Sequence, residues 1–498
     1  MRARSTAETA AWALVLVAVS AGIQAWTIAP VDADMAYHVA VGRLIREHGI
    51  LRSFPWTPFS WLADHYADKE LLYHLLLVPL AGLPWITAAK VVGALSGAVA
   101  LLALYGVLRA EGVRLAGLWA LFPLVACDAF LWRFGLGRSF LLSIALGAVV
   151  LWAAARQRAL PLAVASALYP WTYVAWFLPL ALAGLAEAAR FLGAGRVRWR
   201  TFALVAGPLA LGVLLHPNGW NLLRLTWIVS VEVLVRGAWG GREGLDLGLE
   251  FLPFSAEQWA RWLLACVAMT LAALALSWRQ RRADPTGLAF ALAAAAFGLL
   301  TVRSARFNEY FVPFSVAAFA LASRHLRRRW LLPAAAAATL AYTAVPLWET
   351  MQGLRRRTDL IPPPLVETLQ QRIPPGAQVY TCDWGTTGLM MLALPERRFM
   401  VALDPTLFYV KDPELYRLWF AIPRRPPPEV AQVIRSRFGA RFVMCLWDQP
   451  YRRFFDQLVF EPGVQTVLVD EEWNVYDLGE PERAPGPGAA PGPPAPGR

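Results

Sequence analysis

Apolar runs of roughly 18 or more residues recur from the N-terminus to about residue 348, each closed by a short polar stretch. A run of that length crosses the hydrocarbon core of a bilayer as a helix. The pattern predicts about eleven spans, at residues 10–28, 86–108, 115–131, 140–155, 160–173, 174–191, 201–215, 259–278, 286–302, 307–323 and 331–348. The fifth and sixth form a hairpin with Pro170 and Trp171 at its tip. Two longer polar segments, 30–70 and 216–258, interrupt the series, and the second reads as a flexible loop. Residues 71–83 are apolar but short, which predicts a helix lying along the membrane surface or re-entering it.

From about residue 351 the period changes. An Ile-Pro-Pro-Pro stretch at 361–364 reads as a stiff linker. Strand-like runs at 378–381, 398–402, 441–445, 466–469 and 474–476 then alternate with helical patterns after Gly385 and over 428–438. Alternation of this kind predicts a small α/β domain over 351–478. Residues 479–498 are rich in Pro, Gly and Ala and are expected to be disordered. The fold class is therefore a mainly α, polytopic membrane domain over 1–350 followed by a small C-terminal α/β domain.

Composition agrees: 57% of the 498 residues are hydrophobic, only 16% are charged, and the mean hydropathy is +0.43. Soluble domains carry about 25% charged residues, so a single soluble domain and a disordered chain are both excluded. The net charge of +12 does not indicate nucleic acid. Lysine occurs only at Lys69, Lys90 and Lys411, and the arginines sit in short clusters between apolar runs, such as Arg279, Arg281 and Arg282 or Arg324, Arg327, Arg328 and Arg329. The positive-inside rule places those clusters, with Arg2 and Arg4, in the cytoplasm. An odd number of spans then puts the C-terminal domain outside. The expected location is the cell (inner) membrane, with the first apolar run retained as a span.

Four cysteines make neither a disulfide scaffold nor a zinc motif. Cys382 and Cys445 end two predicted strands on the oxidising side. Whether they pair is left open, with separate thiols the plainer expectation, because the sequence does not give their Cα separation.

Candidate chemistry concentrates after the first span, in Val31-Asp32-Ala33-Asp34-Met35-Ala36-Tyr37-His38. Asp32 and Asp34 suit a helix N-terminus, where carboxylates accept free backbone N–H groups. They also suit an acidic site that activates an acceptor or holds a divalent ion such as Mg or Mn. Arg133 and Arg138 flank the turn beside Asp128, either snorkelling to the interface or offering forked contacts to phosphate. Glu70 and His74 stand four apart, as a polar packing pair or as metal ligands. Glu232, Glu243, Asp246 and Glu250 make the second long loop acidic.

Four places resemble GT-C membrane glycosyltransferases, which take sugars from polyprenyl-phosphate carriers, and among them the catalytic subunits of oligosaccharyltransferases and uncharacterised bacterial relatives. They are Asp32-Ala33-Asp34 with Tyr37-His38; Thr57-Pro-Phe-Ser-Trp61 through His65, Glu70 and Leu71-Leu72; Arg303-Ser-Ala-Arg306-Phe307; and Cys382-Asp383-Trp384-Gly385. The last lies where oligosaccharyltransferases carry Trp-Trp-Asp-Tyr-Gly, but lacks the first Trp and the Tyr, so recognition of Asn-x-Ser/Thr peptides is not implied. Asp128 stands alone where the family often holds Asp-x-Asp.

The resemblance implies inverting sugar transfer from a polyprenyl-phosphate donor to an acceptor outside the cytoplasm. Asp34 and Asp32 would be catalytic. Arg306, Arg303, Arg138 and Arg133 would bind the donor phosphate, with Arg303 and Arg306 sharing one helical face. Asp34, Asp128 and His38 would hold the metal, supported by Glu70, His65 and His74, and Asp383, Trp384 and Gly385 would form the outer motif. The alternatives are a lipid or glycan transporter or flippase, and a non-catalytic membrane scaffold. Transporters gather ionisable residues near the midplane, whereas here they gather at the predicted outer ends. Membrane lipids are the other expected partners; sugar, acceptor and oligomeric state are not encoded in any pattern here.

A reporter fused after Gly463 is expected to be active only when exported. Activity in the cytoplasm would remove one span from the series and place the C-terminal domain inside.

Overall fold

The computed structural model describes residues 2–27, 33–241, 245–326, 330–355, 361–402, 404–469 and 472–479. Asp32, Glu243, Arg327 to Arg329 and the 480–498 tail lie outside the described residues.

Each expected apolar run has a helical counterpart, but fewer are complete spans than the eleven expected. Among the described residues, five helices are long and apolar enough to cross a membrane: Thr6–Trp26, Trp85–Ala110, Ala256–Arg279, Pro285–Arg303 and Leu331–Gly353. The number is up to seven if each of two bent pairs counts as one span. Local chemistry sets the ends. Pro285 opens one helix at a position that needs no N–H, while Asp284 accepts the Gly287 N–H at 3.0 Å. The helix Asn308–Ser323 is buried along its whole length and packs against both Pro285–Arg303 and Leu264–Arg279. A helix buried on every side is the centre of a bundle rather than its lipid face.

Two stretches depart from the expected pattern. Residues 115–131 do not make one span. They break into Ala116–Leu121, Pro123–Ala126 and Asp128–Gly135, with Cys127 in an extended conformation at the last break. The chain then turns through Gly137, whose φ of +68° favours glycine, and Asp128–Gly135 meets Phe140–Arg156 at 117°. The first half of the second long polar segment is helical rather than a loop. Gly219–Trp227 continues into a π-helical stretch, Ile228–Trp239, and this arm is bent by 112° from Trp199–Leu215. The short apolar segment after Glu70 is a helix, Leu71–Leu77, ending in a 3-10 turn at Val78–Leu80, as expected.

The C-terminal domain holds a four-stranded sheet of β1 (Val379–Tyr380), β2 (Phe442–Leu446), β3 (Gln465–Val469) and β4 (Trp473–Asp477), in the order β1-β2-β4-β3. β1 and β2 are parallel, and the other pairs antiparallel. The helices Thr387–Ala393 and Val430–Phe438 stand where the pattern placed them. The expected strand at 398–402 does not form. Only one bridge, Gln378 to Arg398, is made, and the Phe399 N–H is taken by the Trp56 carbonyl at 2.6 Å. The prolines at 361–364 are not merely a linker, since Pro363 opens the helix Pro363–Arg372.

That Phe399 bond belongs to a larger junction. The segment after the first span and the C-terminal domain share one apolar core, which includes Tyr37, Phe54, Trp56, Phe399, Phe442 and Trp473. Trp56 Nε1 donates to the Pro395 carbonyl at 2.7 Å, and Lys411 Nζ reaches Asp64 at 2.6 Å. Burying rings on this scale contributes roughly 1.5–3 kcal/mol per large side chain, so the early segment is held against the late domain.

Contrary to the plainer expectation, Cys382 and Cys445 are disulfide-bonded, with Cα atoms 5.4 Å apart. The parallel register of β1 and β2 brings them together, because each follows paired residues on neighbouring strands. The bond spans 63 residues of chain, which a chain-entropy account converts to about 4 kcal/mol of stabilisation. Cys445→Ala is therefore expected to lower the thermal midpoint of the domain by several degrees in non-reducing buffer, and to abolish the further loss that a reductant causes in the wild type. An unchanged midpoint in both conditions would remove the stabilising role.

Candidate functional site

A cavity of about 1100 Å³ lies between one end of the helical bundle and the C-terminal domain. Three elements bring basic groups to one wall. The helix Asp128–Gly135 carries Arg133, the bend between it and Phe140–Arg156 carries Arg138, and the 3-10 turn Ala305–Phe307 carries Arg306.

All three guanidinium groups converge on Glu250, which sits in the 3-10 turn Leu249–Phe251. Arg133 Nη1 lies 2.7 Å from one Glu250 oxygen and Arg138 Nη1 lies 3.8 Å from it, while Arg306 Nη1 donates to the other oxygen at 3.0 Å. Arg133 also donates from Nε to the buried Glu309 at 2.7 Å, and Arg138 pairs with Asp34 at 2.9 Å. Arg306 donates to the Tyr173 hydroxyl at 3.2 Å and lies over the Phe251 ring. Three cations thus face three carboxylates. Burial alone would raise the Glu250 carboxyl, but Arg133, Arg306 and Arg138 hold it well below the usual carboxylate range.

Beside this wall, the helix Ala33–His48 presents Asp34, Tyr37 and His38 to the cavity. It packs closely on Leu71–Leu77, since a Cβ added at Gly42 would stand 2.7 Å from the Leu77 Cβ. That approach brings His38 and His74, from different helices, to 2.8 Å between Nδ1 and Nε2. Both Asp68 oxygens lie 2.8 Å from His74 Nδ1. A carboxylate only accepts, so His74 Nδ1 carries a proton, and His74 Nε2 is left facing His38 Nδ1 with one hydrogen between them. Glu70 accepts from Ser139 Oγ and from Lys69 Nζ, each at 2.7 Å. Burial favours the neutral Glu70 acid, yet the Lys69 ammonium beside it holds its carboxyl below the ordinary range. Burial also pushes His38 well below the ordinary imidazole range, so it is neutral at pH 7.

The far wall belongs to the C-terminal domain. Asp383, Trp384 and Gly385 line the cavity, as does Asp404. Asp383 accepts from the Thr386 N–H at 2.9 Å and its hydroxyl at 3.0 Å, while Trp384 Nε1 donates to Asp246 at 3.3 Å. Asp246 is thereby fixed at the cavity rim by the domain that faces it.

The structure brings Asp34, His38, Glu70, Arg133, Arg138, Arg306 and the 383–385 motif to one cavity, with His74 directly behind. It separates others. The helix ends at Arg303, Ser304 is extended, and a new turn begins at Ala305, so Arg303 and Arg306 do not share a helical face. Arg303 is exposed and does not line the cavity. His65 packs on Trp61 with the rings tilted and their centroids 5.2 Å apart, away from the cavity. Asp128 lines another part of the cavity, where its charged neighbours are Arg261 and Glu349. The expected metal set of Asp34, Asp128 and His38 is therefore not assembled: Asp34 is engaged by Arg138, and no shared centre with Asp128 exists among the described residues.

Two contributors, Asp68 and Glu309, escaped sequence reasoning, and Glu250 entered it only as one acid of the second long loop. Glu309 carried a usable signal, because a carboxylate three residues after Arg306 and at the head of an apolar run is costly unless paired.

No model of a known protein family matches the chain, and no curated protein matches it by sequence.

Proposed function

We propose that this protein is an integral membrane glycosyltransferase that transfers a sugar from a polyprenyl-phosphate carrier to an acceptor outside the cytoplasm. The observation that carries the reading is the convergence of Arg133, Arg138 and Arg306 on a single carboxylate inside the cavity. Glu250 occupies the place of an anion that three guanidinium groups recognise. Planar forks of this kind match phosphate oxygens. Because Glu250 lies in a short turn, an incoming phosphate can displace it and take over its partners.

The proposed chemistry uses Asp34 as the base. The acceptor hydroxyl oxygen attacks the anomeric carbon as the bond from that carbon to the phosphate oxygen breaks, inverting the configuration. The hydroxyl proton passes to the Asp34 carboxylate, and the carrier leaves as a phosphate whose developing charge the arginines stabilise. Arg138 bridges the two roles, since it pairs with Asp34 and faces Glu250.

Other features support the setting. A disulfide in the C-terminal domain suits an oxidising compartment, consistent with that domain lying outside an inner membrane and the N-terminus inside. An apolar cleft of about 430 Å³, bordered by Trp119, Phe122, Met269, Phe319 and Tyr342, offers room for hydrocarbon.

The test is sugar transfer from a polyprenyl-phosphate donor by purified protein in detergent. Asp34→Asn keeps the shape and hydrogen-bonding capacity but cannot take the proton, so transfer is expected to fall about 10²–10⁴-fold. Arg306→Ala is expected to weaken carrier binding strongly, and Arg306→Lys to restore it only in part. Full activity of Asp34→Asn would remove the base. Equal carrier binding by wild type and both Arg306 variants would leave that arginine a purely structural partner of Glu250 and Tyr173.

A further inference from the structure

We propose that His38, Glu70 and His74 form a binding site for a divalent transition metal of the zinc class, open to the cavity. The inference does not rest on the sugar-transfer reading. One ligand atom from each of the three residues lies within 4.8 Å of the others. Two imidazoles and one carboxylate suit zinc and its neighbours, whereas Mg and Ca prefer oxygen alone.

The surroundings orient the ligands. Asp68 grips His74 Nδ1 with both oxygens, which turns His74 Nε2 toward His38. A carboxylate behind a histidine ligand fixes the ring and raises its basicity, the arrangement found behind metal-bound imidazoles. Asp68 in turn accepts the Glu70 N–H at 3.1 Å, so one carboxylate positions two of the three ligands. The ligands stand on helical scaffolds: His38 lies on Ala33–His48, and Glu70 directly precedes Leu71–Leu77, which carries His74 one turn later. His38 and Glu70 line the cavity while His74 lies behind them. A fourth coordination position therefore faces the cavity, where water or a substrate oxygen would enter.

Without metal, the cluster satisfies itself in two ways, and both must yield. Lys69 Nζ occupies one Glu70 oxygen. Its side chain is 24% exposed, and its flexible stem allows the ammonium to leave for the cavity as a divalent ion takes its place. The two imidazoles are hydrogen-bonded at 2.8 Å. Tetrahedral ligands with bonds of about 2.0–2.1 Å stand about 3.3 Å apart, so the rings must part by about half an ångström. The hydrogen between His38 Nδ1 and His74 Nε2 leaves that position as the metal takes both nitrogens.

The experiment uses full-length protein in detergent, without a polyhistidine tag and stripped by chelator, titrated with Co²⁺ alone and then with Zn²⁺. The expected result is one equivalent of cobalt with the visible absorption of a low-coordinate site, displaced by zinc. His38→Ala and His74→Ala are expected to lose the signal. Asp68→Asn should weaken cobalt binding about 10–100-fold, and Lys69→Ala should tighten it, because the competing cation is gone. Those last two variants shift affinity in opposite directions, which general misfolding cannot do. No cobalt uptake by the wild type, equal uptake by His38→Ala, or weaker binding by Lys69→Ala would overturn the site. None of these outcomes depends on whether sugar is transferred.

Discussion

Three guanidinium groups hold one cavity wall because a carboxylate lies among them. Two unit charges 4 Å apart interact by about 1 kcal/mol in water and about 4 kcal/mol at the effective dielectric near a protein surface. Arg133, Arg138 and Arg306 without Glu250 would repel one another in a largely buried setting. With Glu250, and with Asp34 and Glu309 behind, three positive charges meet three negative ones. The cluster also ties the molecule together. Arg133 comes from the helix Asp128–Gly135, Arg138 from the bend after it, Arg306 from the turn after Pro285–Arg303, and Glu250 from the second long polar segment. Removing Glu250 would release three elements at once. In the proposed reaction, a carrier phosphate takes over this role, so the interaction that holds the resting site is the one that recognises the donor.

The same cavity is closed by a junction remote in sequence. Trp56 and Phe399, more than three hundred residues apart, share a backbone hydrogen bond and one apolar core, and Lys411 fastens Asp64. The segment after the first span is a preformed floor under the C-terminal domain, with Asp34 and His38 on its cavity face. Reactants would meet between two packed surfaces, as pre-organisation of charged groups requires.

Much of this was legible in the order of residues, and the limits are physical. Apolar period and capping residues mark helices well, because both are local: Asp284-Pro285 announces a helix start, and Pro285–Arg303 follows. Period says little about where one apolar run is cut. The break at Cys127 and the turn at Gly137 are invisible to hydropathy, yet they aim Arg133 and Arg138. Residues 398–402 look like a strand, but the Phe399 N–H bonds to Trp56 instead, and no local pattern encodes a partner that distant. The disulfide was undecidable for the same reason, since it needs the register of β1 on β2. Within the site, Asp34, Arg306 and the Glu70–His74 spacing could be read from the chain. The approach of His38 to His74 could not, because it depends on two helices packing at Gly42. Arg303 misled through an assumed continuous helix that Ser304 interrupts.

The central claim is that the arginine cluster recognises a phosphate borne on a lipid. Native mass spectrometry of the protein released from mild detergent tests it most directly, by identifying the lipid that co-purifies. The account predicts a bound polyprenyl-phosphate species on the wild type that is lost from an Arg133→Ala Arg306→Ala protein of equal thermal stability. Bulk phospholipid alone on the wild type, or the same polyprenyl species retained by the double variant, would contradict it.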